Sequence, residues 1–293
     1  MRRSRLQLVA IGAMLHTLVL LTSAEADNLP QQVEFQSLDG DTMLTGYLFR
    51  PAGKTTARKV PAIVMMHGRA GAYSSLAGGK YDASTLSRRH AFWGRFWASH
   101  GYAALLVDGF GPRGYAGGFP IHSYDSRPDA VNEVTVRPLD AYGALKYLRS
   151  RSDVDGDRIA LQGWSNGGSA AIAAMSDEIL AATGQKPGEG FRGAVAFYPA
   201  CALHDRFANG YHPYAPLRVF SGDADEEVSA ERCARLVEDS QAAGGDVSIE
   251  IYQGATHDFD DPGAKRQSVP ENADAADRAI PATLAFLKAL LRR

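Results

Sequence analysis

The chain has 293 residues, 45% of them hydrophobic and 22% charged, with a formal net charge of −2 at pH 7. That is enough apolar mass for one large core, and the near balance of charge removes the electrostatic footprint expected of a nucleic-acid binder. No internal repeat, low-complexity segment or long run of like charge divides the chain, so no second domain is expected.

The first residues form a separate object. Arg2, Arg3 and Arg5 precede an apolar run from Leu6 to Leu21, interrupted by His16, and Ala24-Glu25-Ala26 then offers the small-x-small pattern of a signal-peptidase site. Residues 1–26 therefore read as a cleaved export signal, residues 27–293 as one catalytic domain, and the product as periplasmic or secreted. The apolar run is shorter than the ~20 residues that cross a bilayer, so no membrane span is expected in the mature chain. Arg2-Arg3 is only a weak twin-arginine pattern.

Val33 to Ser37 and Met43 to Arg50 flank Asp39-Gly40-Asp41, a hairpin signal. Val60 to Met66 is apolar throughout, as a strand buried on both faces would be, and it ends at His67-Gly68-Arg69-Ala70-Gly71. Leu86 to Ser99 has helical periodicity, with Gly101 as its stop, and Tyr102 to Val107 is the next strand. A long irregular stretch rich in glycine, proline and aromatics follows Asp108; loops of this length in a compact domain are usually functional. Val134 to Arg149 reads as a helix. Phe191 to Tyr198, Leu217 to Phe220 and Asp246 to Tyr252 read as strands, the last turning Val247, Ile249 and Ile251 inward, with helices over Ala230–Ala242 and 272–291. Alternating strands and helices specify an α/β layer fold with a mostly parallel central sheet of about eight strands and helices on both faces. Ligands bind such sheets at the carboxyl ends of the strands.

The stretch from Asp157 to Met175 carries the chemistry. Ile159-Ala160-Leu161 is a short buried strand, Gly163-Trp164-Ser165-Asn166-Gly167 a tight turn, and Ala170, Ala171, Ala173 and Ala174 lie on a following helix. This is the Gly-x-Ser-x-Gly nucleophile elbow, in which flanking glycines let strand and helix approach while the serine is held strained and exposed. A serine hydroxyl needs a base, and that base needs an orienting acid. Of the histidines beyond Ser165, His204 and His212 lie in an irregular loop, whereas His257 follows the last strand and is assigned as the base. Asp223 and Asp225 compete as the acid in the turn after Phe220. Asp225 stands further into that turn and is favoured; Asp223 better suits capping it. The oxyanion hole would comprise the backbone N–H groups of Asn166 and Arg69, with His67 ordering its loop. No metal-ligand spacing and no dinucleotide motif is present, so neither metal nor cofactor is expected.

An even cysteine pair in an oxidising compartment can bridge. Cys201 follows one strand and Cys233 lies in the helix after the next, which a parallel sheet brings close; such a bridge is worth roughly 3–4 kcal/mol in the chain-entropy account.

Together VMMHGRAG, DGFGPRG, QGWSNGG, AFYPAC, FSGDADEEV and YQGATHDFD resemble the dienelactone hydrolase family of the α/β-hydrolases over nearly the whole mature chain. The resemblance implies a Ser165, Asp225, His257 triad and supports both the choice of Asp225 and a Cys201–Cys233 bridge. Dienelactone hydrolase itself has a cysteine at the elbow, so Ser165 points to ester hydrolysis by a serine mechanism rather than to that lactone. The segment from Cys201 to Pro216 is too short for a large lid domain, which favours small or medium soluble esters. Arg113, Tyr115, Phe119, His122, Tyr124, Phe207, Tyr211 and Tyr214 are candidate pocket residues, with packing of long loops as the competing role. An amidase or peptidase on the same triad, and a catalytically silent periplasmic binding protein, are the alternatives.

Overall fold

A computed structural model describes residues 29–52 and 59–292; the expected export signal lies outside them. The elements run β1 (Gln31–Gln36), β2 (Met43–Phe49), β3 (Val60–Met66), α1 (Arg88–Ser99), β4 (Ala103–Asp108), α2 (Arg137–Ser150), β5 (Val154–Trp164), α3 (Asn166–Ala174) and α4 (Asp177–Ala182). They continue with β6 (Ala194–Phe197), β7 (Leu217–Gly222), α5 (Ala230–Ala242), β8 (Val247–Tyr252), α6 (Ala264–Gln267) and α7 (Pro270–Leu290). Eight strands form one sheet in the order β1-β2-β4-β3-β5-β6-β7-β8. Only β2 runs against its neighbours, as the expected hairpin requires; β4, β3, β5, β6, β7 and β8 are parallel.

The apolar strands explain the layers. Successive side chains of a strand point to opposite faces, so in β3 Ala62, Val64 and Met66 join one core while Ile63 and Met65 join the other. The first core is closed by α2, α3, α4 and α5, the second by α1 and α7. Trp93 and Trp97, one turn apart on α1, are fully buried in the second core. Among the described residues no helix is long and apolar enough to cross a membrane.

Several boundaries differ from the sequence reading for local reasons. Helix α2 starts at Arg137 rather than Val134, because Asn132 Oδ1 takes the N–H groups of Val134 and Thr135 at 2.8 and 3.0 Å and turns the chain first. Strand β5 reaches back to Val154, which pairs with Val60. The inward alternation expected of β8 holds at Val247, which is buried, and at Ile249, half-buried against the first core, but fails toward the end of this edge strand, where Ile251 is 39% exposed and Tyr252 is buried in the second core. The short helices α4 and α6 have too few turns to show a period in the sequence; α4 begins where Ser176 Oγ accepts the Ile179 N–H.

Candidate active site

The loops at the carboxyl ends of β3, β5, β7 and β8 meet over the middle of the sheet. Strand β5 ends at the buried Trp164, and Ser165 turns the chain into α3 with φ +50° and ψ −117°. That left-handed conformation costs a non-glycine residue roughly 1–3 kcal/mol and persists only where the surroundings enforce it. Here they do. The Ser165 N–H is fixed to Phe197 O at 2.9 Å. A side chain at residue 163 would put a Cβ 2.0 Å from Gly167 O, and one at residue 167 would put it 2.0 Å from Met66 O. Glycine at both positions lets β5, α3 and the end of β3 close to backbone contact around Ser165.

The next layer supports the elbow from below. Asp260, 1% exposed, accepts hydrogen bonds from Trp164 Nε1 at 2.8 Å, Trp93 Nε1 at 2.7 Å and the Tyr198 hydroxyl. Burial raises its carboxyl pKa, opposed by the Arg89 charge and these donors. Buried indole N–H groups need acceptors, and Trp164 inside the elbow was the one sign in the sequence that a polar partner lay beneath it.

Asp225 and His257 are joined directly. The imidazole Nδ1 donates to Asp225 Oδ2 at 2.7 Å, while Asp225 Oδ1 accepts the N–H groups of Glu227 and Val228 at 2.8 and 2.9 Å. Asp223 stands apart and accepts the Gly254 N–H at 2.6 Å, holding the turn after β8. His257 is 2% exposed. Burial alone would depress its pKa; the bond to Asp225 and the charges of Asp258, Asp225 and Glu227 outweigh it and hold the ring above the ordinary histidine value. Its Nε2 lies 3.8 Å from Glu227 Oε2. Among the described residues the Ser165 hydroxyl makes no hydrogen bond to His257; in substrate-free hydrolases this contact commonly tightens only once substrate is bound.

On the other side of Ser165, a Cβ built on Gly68 would lie 3.3 Å from Ser165 Cβ, which places the loop after β3 directly against Ser165. His67 is fully buried, with Nδ1 donating to Gly68 O at 2.7 Å and Nε2 accepting the Gly109 N–H at 3.3 Å. Burial holds its pKa well below the ordinary value, so it is a neutral loop-ordering group. The backbone N–H groups of Arg69 and Asn166 have no acceptor among the described residues. The Arg69 side chain forms a two-pronged ion pair with Glu227, Nε to Oε2 at 2.6 Å, which links the loops after β3 and β7 across the site.

A cavity of about 350 Å³ opens over Ser165 and Asn166, walled by Arg69, Glu227, His122 and Cys201 among others. Of the eight candidate pocket residues, His122 and Tyr124 line it. Arg113 is bound to Asp39 and Asp140 at 2.6 and 2.8 Å, so internal aspartates consume its charge. Tyr211 is buried and donates to Ile172 O at 2.8 Å. Tyr115 and Phe119 pack on each other with ring centroids 5.2 Å apart. Tyr124 is stacked on His204 at 4.3 Å; Phe207 packs on Tyr211 and Tyr214 bonds to Tyr142 and the Phe191 N–H. For Tyr115, Phe119, Phe207, Tyr211 and Tyr214 the competing role, packing of the long loops, is the one the structure shows. Arg127, Glu133 and Glu227 line the cavity without having been singled out, because an isolated charged residue in a loop carries no pattern. Cys201 and Cys233 form a disulfide that ties the loop after β6 to α5 at the cavity wall. Among the described residues no group of three or more His, Cys, Asp or Glu side chains could hold a metal ion.

The family model of the dienelactone hydrolases matches residues 44–291. The chain belongs to the dienelactone hydrolase family. The quorum-quenching protein AidA of Acinetobacter baumannii is 31% identical over 183 residues, 60% of this chain and 51% of that protein, so the chain spans about half the length of this relative. Among solved structures, a putative dienelactone hydrolase from Klebsiella pneumoniae superposes with a TM-score of 0.60 at 16% identity, covering 88% of this chain and 99% of that one. Thermogutta terrifontis esterase 2, phosphorylated by paraoxon, superposes with a TM-score of 0.58 at 20% identity, covering 86% and 94%. These likenesses give this dienelactone hydrolase family member an α/β-hydrolase fold.

Proposed function

We propose that this protein is an exported serine hydrolase that cleaves carboxylic esters of small or medium soluble substrates through an acyl-enzyme. The observation that carries this is the Asp225–His257 pair, whose Nε2 lies 3.8 Å from Glu227, a residue that lines the same cavity as the strained Ser165. Ser165 Oγ attacks the ester carbonyl while His257 Nε2 takes its proton, and Asp225 fixes the tautomer and stabilises the imidazolium. The developing oxyanion meets the N–H groups of Arg69 and Asn166 and the positive end of α3. Collapse expels the alcohol, protonated by His257; water then repeats the sequence on the acyl-serine and releases the acid. Membership of the dienelactone hydrolase family supports ester chemistry, and the cavity volume suits a small ligand. The test is fluorophosphonate labelling with peptide mass mapping, run beside a panel of short-chain esters. Turnover with the adduct on Ser165 is expected; turnover with an adduct elsewhere, or none on any ester, overturns the reading.

The Glu227 carboxylate near His257 Nε2 should be visible in the pH profile. Its negative charge favours the imidazolium, and acylation needs the neutral ring, so activity is lost as pH falls through the His257 pKa. Glu227→Gln removes that charge and leaves Arg69 unpaired beside the ring. Both changes lower the pKa, so the acid limb of kcat/KM is expected to move to lower pH; a limb that stays or moves upward contradicts this.

Export is supported by the pattern of residues 1–26 and by the disulfide, a bond that persists in oxidising compartments. The N-terminal sequence of the protein recovered from outside the cytoplasm is expected to begin at Asp27. Recovery only from the cytoplasm, with residues 1–26 intact, would contradict export.

A further inference from the structure

Behind the elbow, Arg137 at the start of α2 is fully buried. Its Nη1 donates to His67 O at 2.7 Å and also to Asn166 Oδ1. Those acceptors belong to different elements: His67 lies two residues before Arg69 in the loop after β3, and Asn166 opens α3. The other end of the Asn166 amide is held as well, since Nδ2 donates to Glu133 Oε2 at 2.7 Å and Glu133 is 2% exposed. A single guanidinium nitrogen thus spans the gap between the two segments that carry Arg69 and Asn166, both of which line the cavity.

The arrangement is costly. Taking a guanidinium out of water is unfavourable unless it is paired, yet among the described residues no carboxylate lies within ion-pair distance of Arg137, and its Nε and Nη2 have no hydrogen-bond acceptor. Its guanidinium sits over the Phe110 ring, 4.9 Å from the centroid. Burial pulls its pKa down to about 10, partly offset by the charges of Asp140 and Glu133, so it is still a cation at neutral pH. Core packing does not require a charge here, because an apolar side chain would fill the space without the desolvation cost. What a charged donor shared by two acceptors adds is a fixed distance between two carbonyl-type oxygens and a positive field behind the site where the proposed oxyanion forms.

We infer that Arg137 is the positioning residue of the oxyanion hole: by bonding His67 O and Asn166 Oδ1 at once it sets the spacing of the Arg69 and Asn166 N–H donors, with Glu133 fixing the Asn166 amide from its far end. The inference rests on the serine-esterase reading above. Displacement of catalytic donors by about 1 Å costs on the order of 10²-fold in rate, which is the scale to expect when the tie is cut.

The test uses Arg137→Met, which fills much of the space but has no donor, and Asn166→Ala, which keeps the backbone N–H but removes both side-chain bonds; because each leaves a buried polar or charged group short of a partner, thermal unfolding is recorded first to establish that the protein assayed is folded. Each is assayed with an ester and with the matching thionoester, whose sulfur anion gains little from N–H donors. For both variants kcat on the ester is expected to fall about tenfold to a hundredfold with KM nearly unchanged, and the ester-to-thionoester ratio to fall by a similar factor. A purely structural role would lower both substrates alike and leave the ratio intact. Folded Asn166→Ala protein with wild-type kcat and an unchanged ratio overturns the inference while leaving the esterase reading in place. Failure of the wild-type protein to hydrolyse the ester strikes that reading instead.

Discussion

Replacement of Ser165 by alanine is expected to lower kcat on a short-chain ester by a factor on the order of 10⁴ to 10⁶, with KM little changed. The reason is that in the proposed mechanism the hydroxyl is the atom that bonds to the acyl group, whereas the ground-state contacts would come from the cavity walls. A residual rate above that of water should survive, because the Arg69 and Asn166 donors remain to stabilise an oxyanion formed by direct water attack. The fold should be indifferent. Alanine keeps the Ser165 backbone in the same enforced turn, and the hydroxyl makes no hydrogen bond among the described residues. Thermal unfolding within a degree or two of wild type, together with loss of the fluorophosphonate adduct, is the expected pattern. Turnover within tenfold of wild type would exclude Ser165 as the nucleophile.

The second large effect separates two neighbouring aspartates. Asp225→Asn is expected to cost about 10⁴ in kcat. Asp225 Oδ1 accepts the N–H groups of Glu227 and Val228, so an amide at this position keeps its oxygen there and turns its NH₂ toward His257 Nδ1. A donor facing Nδ1 forces the imidazole proton onto Nε2, the nitrogen that must be bare to receive the Ser165 proton. Asp223→Asn should cost less than about tenfold, since an amide oxygen can still accept the Gly254 N–H. Steady-state kinetics on the purified pair decide the matter; a larger loss in Asp223→Asn would show that the bond to His257 is not the one that matters for turnover.

Both predictions concern groups whose placement is written locally. Gly163 and Gly167 flank Ser165 at the two points where a Cβ would strike backbone 2.0 Å away, and steric exclusion over five residues leaves its mark in the sequence. The apolar run of β3 and the Asp-Gly hairpin before it are equally local. The order of Ser165, Asp225 and His257 along the chain was legible because each follows the end of a strand, and parallel strands bring their carboxyl ends to one edge. Helix starts were less legible wherever a side chain such as Asn132 competes for the first N–H groups.

From sequence alone, then, come the layered sheet, the corner carrying the serine, and the three strand ends that converge on it, since these follow from short-range sterics and from the two-residue and 3.6-residue periods. The partners of the long charged side chains came only with the tertiary structure: Arg113 went to Asp39 and Asp140 rather than to the cavity, Arg69 to Glu227, and Arg137 to His67 O and Asn166. A guanidinium has five donors on a flexible stem, and many acceptors are nearly equivalent until packing decides which are buried beside it. That choice is made between residues far apart in the chain, 70 positions for Arg137 and His67, where no local pattern can record it.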